Sequence, residues 1–185
     1  MSFTFRSLEI PGVVLVRSAR HNDARGFFME TFRASSFQEA GITGPFVQDN
    51  LARSGQGVLR GLHYQLLPRP QGKLVQVLRG EVFDVAVDMR KGAPTFGRWV
   101  GQKLSGAADE LLWIPPGFAH GYLVLSDSAD LSYKVTAEYD AALDRGIRWD
   151  DPRVGVEWPV THPVLSMKDR ALPLLSDAEN PFTWS

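Results

Sequence analysis

The chain of 185 residues carries 21 acidic against 20 basic side chains and no cysteine. That length suits one domain with a core of its own, residues 1–185. Balanced charge gives no electrostatic footprint for nucleic acid or an anionic membrane, and the lack of cysteine excludes disulfides and thiolate zinc sites. The opening MSFTFRSLEI lacks the apolar core of a signal peptide, and no later apolar run reaches membrane length. A soluble, cytoplasmic protein is expected.

Apolar segments are short and are broken at close intervals by Gly, Pro, Asn or Asp, the pattern of an all-β sandwich or barrel. In chain order, strands are expected over residues 13–16, 27–32, 58–65, 73–78, 81–88, 99–104, 111–114, 120–125 and 131–136. Arg79 and Gly80 separate two of them at hairpin distance. One short helix is expected over 35–40, with serine capping its start and Gly41 its end. From Asp150 onward Pro152, Pro159, Pro163, Pro173 and Pro181 predict an irregular tail that wraps the sheet.

The most informative stretch is GVLRGLHYQ at 57–65. In an extended run His63 shares a face with Gly61 and Gln65 while Arg60 starts on the other. Glycine clears space beside the imidazole, and a local twist or bulge would bring Arg60 round to meet an anion. Asp84 lies mid-strand with Val82 and Ala86 on its face, which is the setting of a solvated carboxylate or of one beside a cation; this strand alone favours solvent. His120, Tyr122 and Val124 share a side, and His120 alone reads as a hydrogen-bonded structural histidine. Lys73 opens a strand and would ordinarily reach for water, Tyr133 would be a core tyrosine, and Asp169 a turn residue. A metal site built from His63, His120 and Glu81 or Glu30 has no support in spacing, since the position that would carry a second imidazole on the strand of His63 is Gln65. Phosphate-loop, dinucleotide and nucleophile-elbow motifs are absent.

Eight segments taken in order resemble the dTDP-4-dehydrorhamnose 3,5-epimerase family over nearly the whole chain. They are RGFFMETF at 25–32, FVQDN at 46–50, GVLRGLHYQ at 57–65, QGKLVQVLRGEVFDVAVDMR at 71–90, WIPPGFAHGYLVLS at 113–126, YKVTAEY at 133–139, GIRWDDP at 146–152 and LSMKD at 165–169. The resemblance implies an all-β cupin-type jelly-roll (double-stranded β-helix) barrel with a few short helices, usually a homodimer, needing no metal or organic cofactor. It implies a dTDP-sugar substrate, a 4-keto-6-deoxyhexose whose carbonyl makes the hydrogens at C3 and C5 removable through enolates, in dTDP-L-rhamnose biosynthesis.

By that resemblance His63 is the base, suited to the task because an unperturbed imidazole titrates at about 6.5. Asp169 would orient it, Lys73 would stabilise the enolate oxygen, and Tyr133 would return a proton from the opposite face. Asp84 and His120 match positions that order the sugar and the dyad. Arg25, Glu30, Gln48, Asp49, Asn50 and Arg60 match substrate contacts, the arginines suiting the diphosphate. Phe27 and Tyr139 would sandwich the thymine. Leu51 and Ala52 stand where polar residues are common, Asp144 where a longer glutamate is frequent near the nucleotide, and Lys168 matches a further binding position. Two other readings remain: inversion at C3 or C5 alone, and a metal-dependent oxygenase or silent sugar binder on the same fold.

Overall fold

The computed structural model of the protein describes residues 2–184. Two antiparallel sheets face each other, and the side chains that alternate inward from both form the interior. In chain order the elements are β1 (Phe3–Ser7), β2 (Val14–Ser18), β3 (Arg20–Asp23), β4 (Gly26–Met29), α1 (Ala34–Glu39), β5 (Gln48–Gly55), β6 (Leu59–Gln65), β7 (Lys73–Arg79), β8 (Glu81–Asp88), β9 (Trp99–Ser105), β10 (Glu110–Ile114), β11 (Phe118–Val124), β12 (Ser128–Val135), β13 (Asp144–Gly146) and α2 (Met167–Arg170). One sheet has the order β1-β2-β10-β7-β12-β5, the other β13-β6-β11-β8-β9, and among the described residues β3 pairs only with β4. The all-β expectation holds.

Three apolar clusters follow from the alternation. Val75, Val77, Val82, Ala86, Leu112, Tyr122 and Leu131 meet between the two sheets. Leu62, Tyr64, Val85 and Val87 point to the other side of the five-stranded sheet, where Ile147, Val154, Leu175 and Phe182 from the tail cover them. On the outer face of the six-stranded sheet Leu74, Leu111 and Trp113 are covered by Phe37 of α1 and Ile42 just after it. Both sheets are thus buried on two faces. That explains why Asp84 is fully buried rather than solvated, as its strand alone had suggested.

The helix starts one residue earlier than expected, with Arg33 as its N-cap and no side-chain capping bond. Packing of Phe37, rather than a serine cap, holds it in place. The tail is irregular as expected, except that α2 forms within it. Ser166 there accepts a hydrogen bond from the Asp169 backbone N at 3.0 Å. Among the described residues no helix is long and apolar enough to cross a membrane.

Candidate active site

Strand register decides which side chains reach the space between the sheets. On β11, His120 pairs with His63 of β6, and Tyr122 pairs with Arg60; the register shifts between the two. Two residues of β6, Gly61 and Leu62, therefore oppose one of β11, Gly121, the bulge that brings Arg60 and His63 to the same side. Gly61 takes up the irregularity with a φ of 126°, a conformation side chains rarely adopt. A Cβ there would lie 2.6 Å from the Gly121 Cα, so the two strands approach too closely for any other residue.

A cavity of about 540 Å³ results, lined by Arg60, His63, His120 and Tyr122 from the five-stranded sheet, by Lys73 and Tyr133 from the six-stranded one, and by Ser166, Lys168 and Asp169 from the tail. His63, Lys73 and Tyr133 also line a second cavity of about 300 Å³, together with Gln48, Asn50, Gln71, Tyr139 and Asp144. The same three side chains therefore stand where the two spaces meet.

The tail passes the start of β6 through a parallel bridge between Val58 and Val164, and α2 then sets Asp169 behind His63. His63 Nε2 lies 2.6 Å from Asp169 Oδ1. Burial works to raise the Asp169 pKa, but hydrogen bonds from His63, Ser166 and the Gly61 backbone hold it below the usual carboxylate range. An ionised carboxylate accepts, so Nε2 carries the proton of the neutral ring and the lone pair is left on Nδ1. A second pair lies deeper: His120 Nε2 is 2.9 Å and 3.0 Å from the two oxygens of buried Asp84.

Lys73 turns inward rather than to water. Its Nζ donates to the His63 carbonyl at 3.4 Å. Burial pushes its pKa down to about 8, while Asp144 and Asp84 pull the other way. Tyr133 pairs with Val75 of β7 and Asn50 of β5. Burial and the neighbouring Tyr122 raise its pKa and Arg60 lowers it, so the phenol keeps its proton. An imidazole on one wall and a protonated phenol plus an ammonium on the other form a set able to remove a hydrogen beside a carbonyl and return one from the opposite face.

At the smaller cavity Tyr139 Oη donates to Asp144 at 3.0 Å, and Lys168 forms an ion pair with the same carboxylate. Gln48 bridges Asn50 and the Tyr139 backbone, at 2.8 Å to each. Asp49 is not brought to either cavity: alternation along β5 turns it outward, where Lys134 holds it at 2.9 Å. Arg25, Phe27 and Glu30 do not line these cavities either. Arg25 pairs with Asp23 at 2.6 Å, Phe27 lies under the Arg20 guanidinium at 4.0 Å, and Glu30 pairs with Arg33 at 2.8 Å. Glu81 faces Lys103 at 2.8 Å, so neither carboxylate of the weighed metal set joins His63 and His120. Sequence reasoning missed Tyr122 as part of the larger cavity's wall. The shared face of His120 and Tyr122 was the available signal.

The sequence profile of the dTDP-4-dehydrorhamnose 3,5-epimerase family matches residues 7–177. The chain belongs to this family. A dTDP-4-dehydrorhamnose 3,5-epimerase of Shigella flexneri is 55% identical over 162 residues, 87% of this chain and 90% of the relative. The crystal structure of dTDP-6-deoxy-D-glucose-3,5-epimerase from Legionella pneumophila Philadelphia 1 in complex with dTDP-4-keto-L-rhamnose superposes with a TM-score of 0.95 at 47% identity, over 99% of this chain and 100% of that one. A dTDP-4-dehydrorhamnose 3-epimerase of Streptomyces niveus is 37% identical over 176 residues, 95% of this chain and 85% of that relative. The dTDP-4-dehydrorhamnose 3,5-epimerase family thus matches the whole set of elements that carry His63, Lys73, Tyr133 and Asp169.

Proposed function

We propose that this chain, as one cupin-type jelly-roll domain over residues 1–185, is a cofactor-independent epimerase that inverts C3 and C5 of dTDP-4-keto-6-deoxy-D-glucose, giving dTDP-4-keto-L-rhamnose for dTDP-L-rhamnose biosynthesis. The observation that carries this reading is one cavity with the His63–Asp169 pair on one wall and Lys73 and Tyr133 on the other. His63 takes the carbon-bound hydrogen, and Asp169 holds the ring and stabilises the imidazolium. Lys73 meets the negative charge that grows on the carbonyl oxygen, and Tyr133 returns hydrogen from the facing side, which inverts the carbon. Asp84 fixes His120 at the sugar, Arg60 meets the diphosphate, and Gln48, Asn50, Tyr139, Asp144 and Lys168 hold the nucleotide end.

A second copy of the chain accounts for the residues left outside. The β3–β4 hairpin pairs only with itself and exposes Phe27 at 60% and Phe28 at 71%, yet an isolated hairpin is marginally stable in water. In a homodimer it packs on the partner, and Arg25, Phe27 and Glu30 then serve the partner's cavity, with Phe27 stacking on the thymine opposite Tyr139. Mixing an Arg25→Ala chain with a His63→Asn chain should restore turnover that neither has alone; unmixed and mixed samples behaving alike would count against the arrangement. The lack of cysteine supports placing the enzyme in the reducing cytoplasm.

The deciding experiment is incubation with dTDP-4-keto-6-deoxy-D-glucose in heavy water, with NMR at each ring carbon. Deuterium should enter at both C3 and C5. Label at one carbon alone would select the single-centre reading, for which the 3-epimerase of Streptomyces niveus is the reason. In Tyr133→Phe, hydrogen should wash out of the substrate faster than inverted product forms.

A further inference from the structure

Tyr122 lines the larger cavity but has no part in the chemistry described above. It is 4% exposed, and among the described residues its phenolic oxygen makes no hydrogen bond. Strand pairing places it between Arg60 of β6 and Asp84 of β8, beside the pair of His63 and His120. Its ring centroid is 6.4 Å from that of His120. Its polar neighbours are engaged elsewhere: the Ser54 hydroxyl, which lowers the Tyr122 pKa without meeting its oxygen in hydrogen-bond geometry, accepts from Arg60 Nε at 3.0 Å, and Asp84 accepts from His120. A buried donor without a partner is costly, and a phenylalanine of the same shape would avoid that cost. A bound oxygen in the cavity would remove that cost.

We propose that Tyr122 is a specificity-determining residue of this site, its hydroxyl donating a hydrogen bond to an oxygen on the ring of the bound hexose. This rests on the nucleotide-sugar reading above. Tyr122 lines the larger cavity with His120, Arg60 and Tyr133, and takes no part in the smaller one that Tyr139 and Asp144 line. It therefore faces the sugar rather than the base. Burial pushes its pKa up, with Ser54 and Arg60 only partly pulling it back, so it remains a neutral donor. A site built around such a donor rejects ligands that lack the matching oxygen, because the donor is then left unpaired.

Tyr122→Phe removes one oxygen and keeps the shape. Calorimetric titration would use dTDP, which has no hexose, and dTDP-glucose, which has the hexose ring but no carbonyl and so does not turn over. The variant should bind dTDP as wild type does and dTDP-glucose about 10-fold more weakly, a loss within the range of one hydrogen bond. KM for the keto sugar should rise more than kcat falls, and the unliganded variant should melt at or above wild type. Unchanged dTDP-glucose affinity overturns the proposal. So does an equal loss on dTDP, which would put the contact on the diphosphate, or a lower melting temperature, which would show the hydroxyl bonded within the protein. Wild-type protein that exchanges no carbon-bound hydrogen would instead overturn the functional reading beneath it.

Discussion

His63→Asn should lower turnover by on the order of 10³-fold or more while dTDP still binds, because general-base catalysis typically contributes 10²–10⁴-fold, and the other imidazole on that wall, His120, is held by the buried Asp84. The amide fits the space and can still donate to Asp169, but it cannot take a proton. Asp169→Asn should cost a comparable factor by another route. The carboxylate at 2.6 Å keeps the Nε2 proton in place, and an amide in its position can present its NH₂ group to the ring, favouring the tautomer whose lone pair points backward. Hydrogen exchange at C3 and C5 should fall together in both variants. Near-normal turnover in His63→Asn would move the base to another residue.

Lys73→Met is the second large effect, and it should separate activity from stability. Losing a preorganised donor at a developing oxyanion costs about 3 kcal/mol, so kcat should drop by roughly 10²–10³. The fold should gain. Burial holds the Lys73 pKa at about 8, against the opposing pull of Asp144 and Asp84, whereas a lysine in an unfolded chain titrates near 10.4, roughly. Below pH 8 the folded chain keeps a poorly solvated ammonium, and that penalty is present in full. Between about 8 and 10.4 the unfolded chain binds more protons, so this group's contribution to stability rises with pH across that window. Methionine removes the penalty, and the variant should melt higher than wild type at pH 7 by scanning calorimetry. Wild-type turnover should fall as pH rises through about 8, when the ammonium is lost. A kcat for Lys73→Met within a few-fold of wild type would mean that another group holds the oxygen.

What could be read from the sequence differs between strands for a physical reason. Strand β8 was legible from 81 to 88 because Val82, Phe83, Val85, Ala86 and Val87 form an apolar run interrupted at Asp84 alone and bounded by Arg79-Gly80 on one side. Strand β5, QDNLARSG, was not seen, since it lies at a sheet edge and turns polar side chains outward, leaving no apolar periodicity to detect. In β6 the alternation rule put Arg60 and His63 on opposite faces, and the bulge opposite Gly121 reconciles them. Asp84 was misjudged as solvated because a single strand does not reveal that its sheet is covered on both faces. Asp169 lies 106 positions from His63, and its place behind the imidazole is set by the tail crossing β6, which no local pattern encodes. Only the likeness of whole segments to the family pointed to it.

The route of that tail also governs when the protein acquires its chemistry. All thirteen strands of the described residues are present in the chain by Gly146, while the carboxylate that steadies the imidazole is added 23 residues later, at Asp169. During synthesis the strands are therefore complete before the proton-transfer apparatus exists, and a nick in the stretch between Gly146 and Val164 would loosen together the cover over Leu62, Tyr64, Val85 and Val87 and the carboxylate that steers the base.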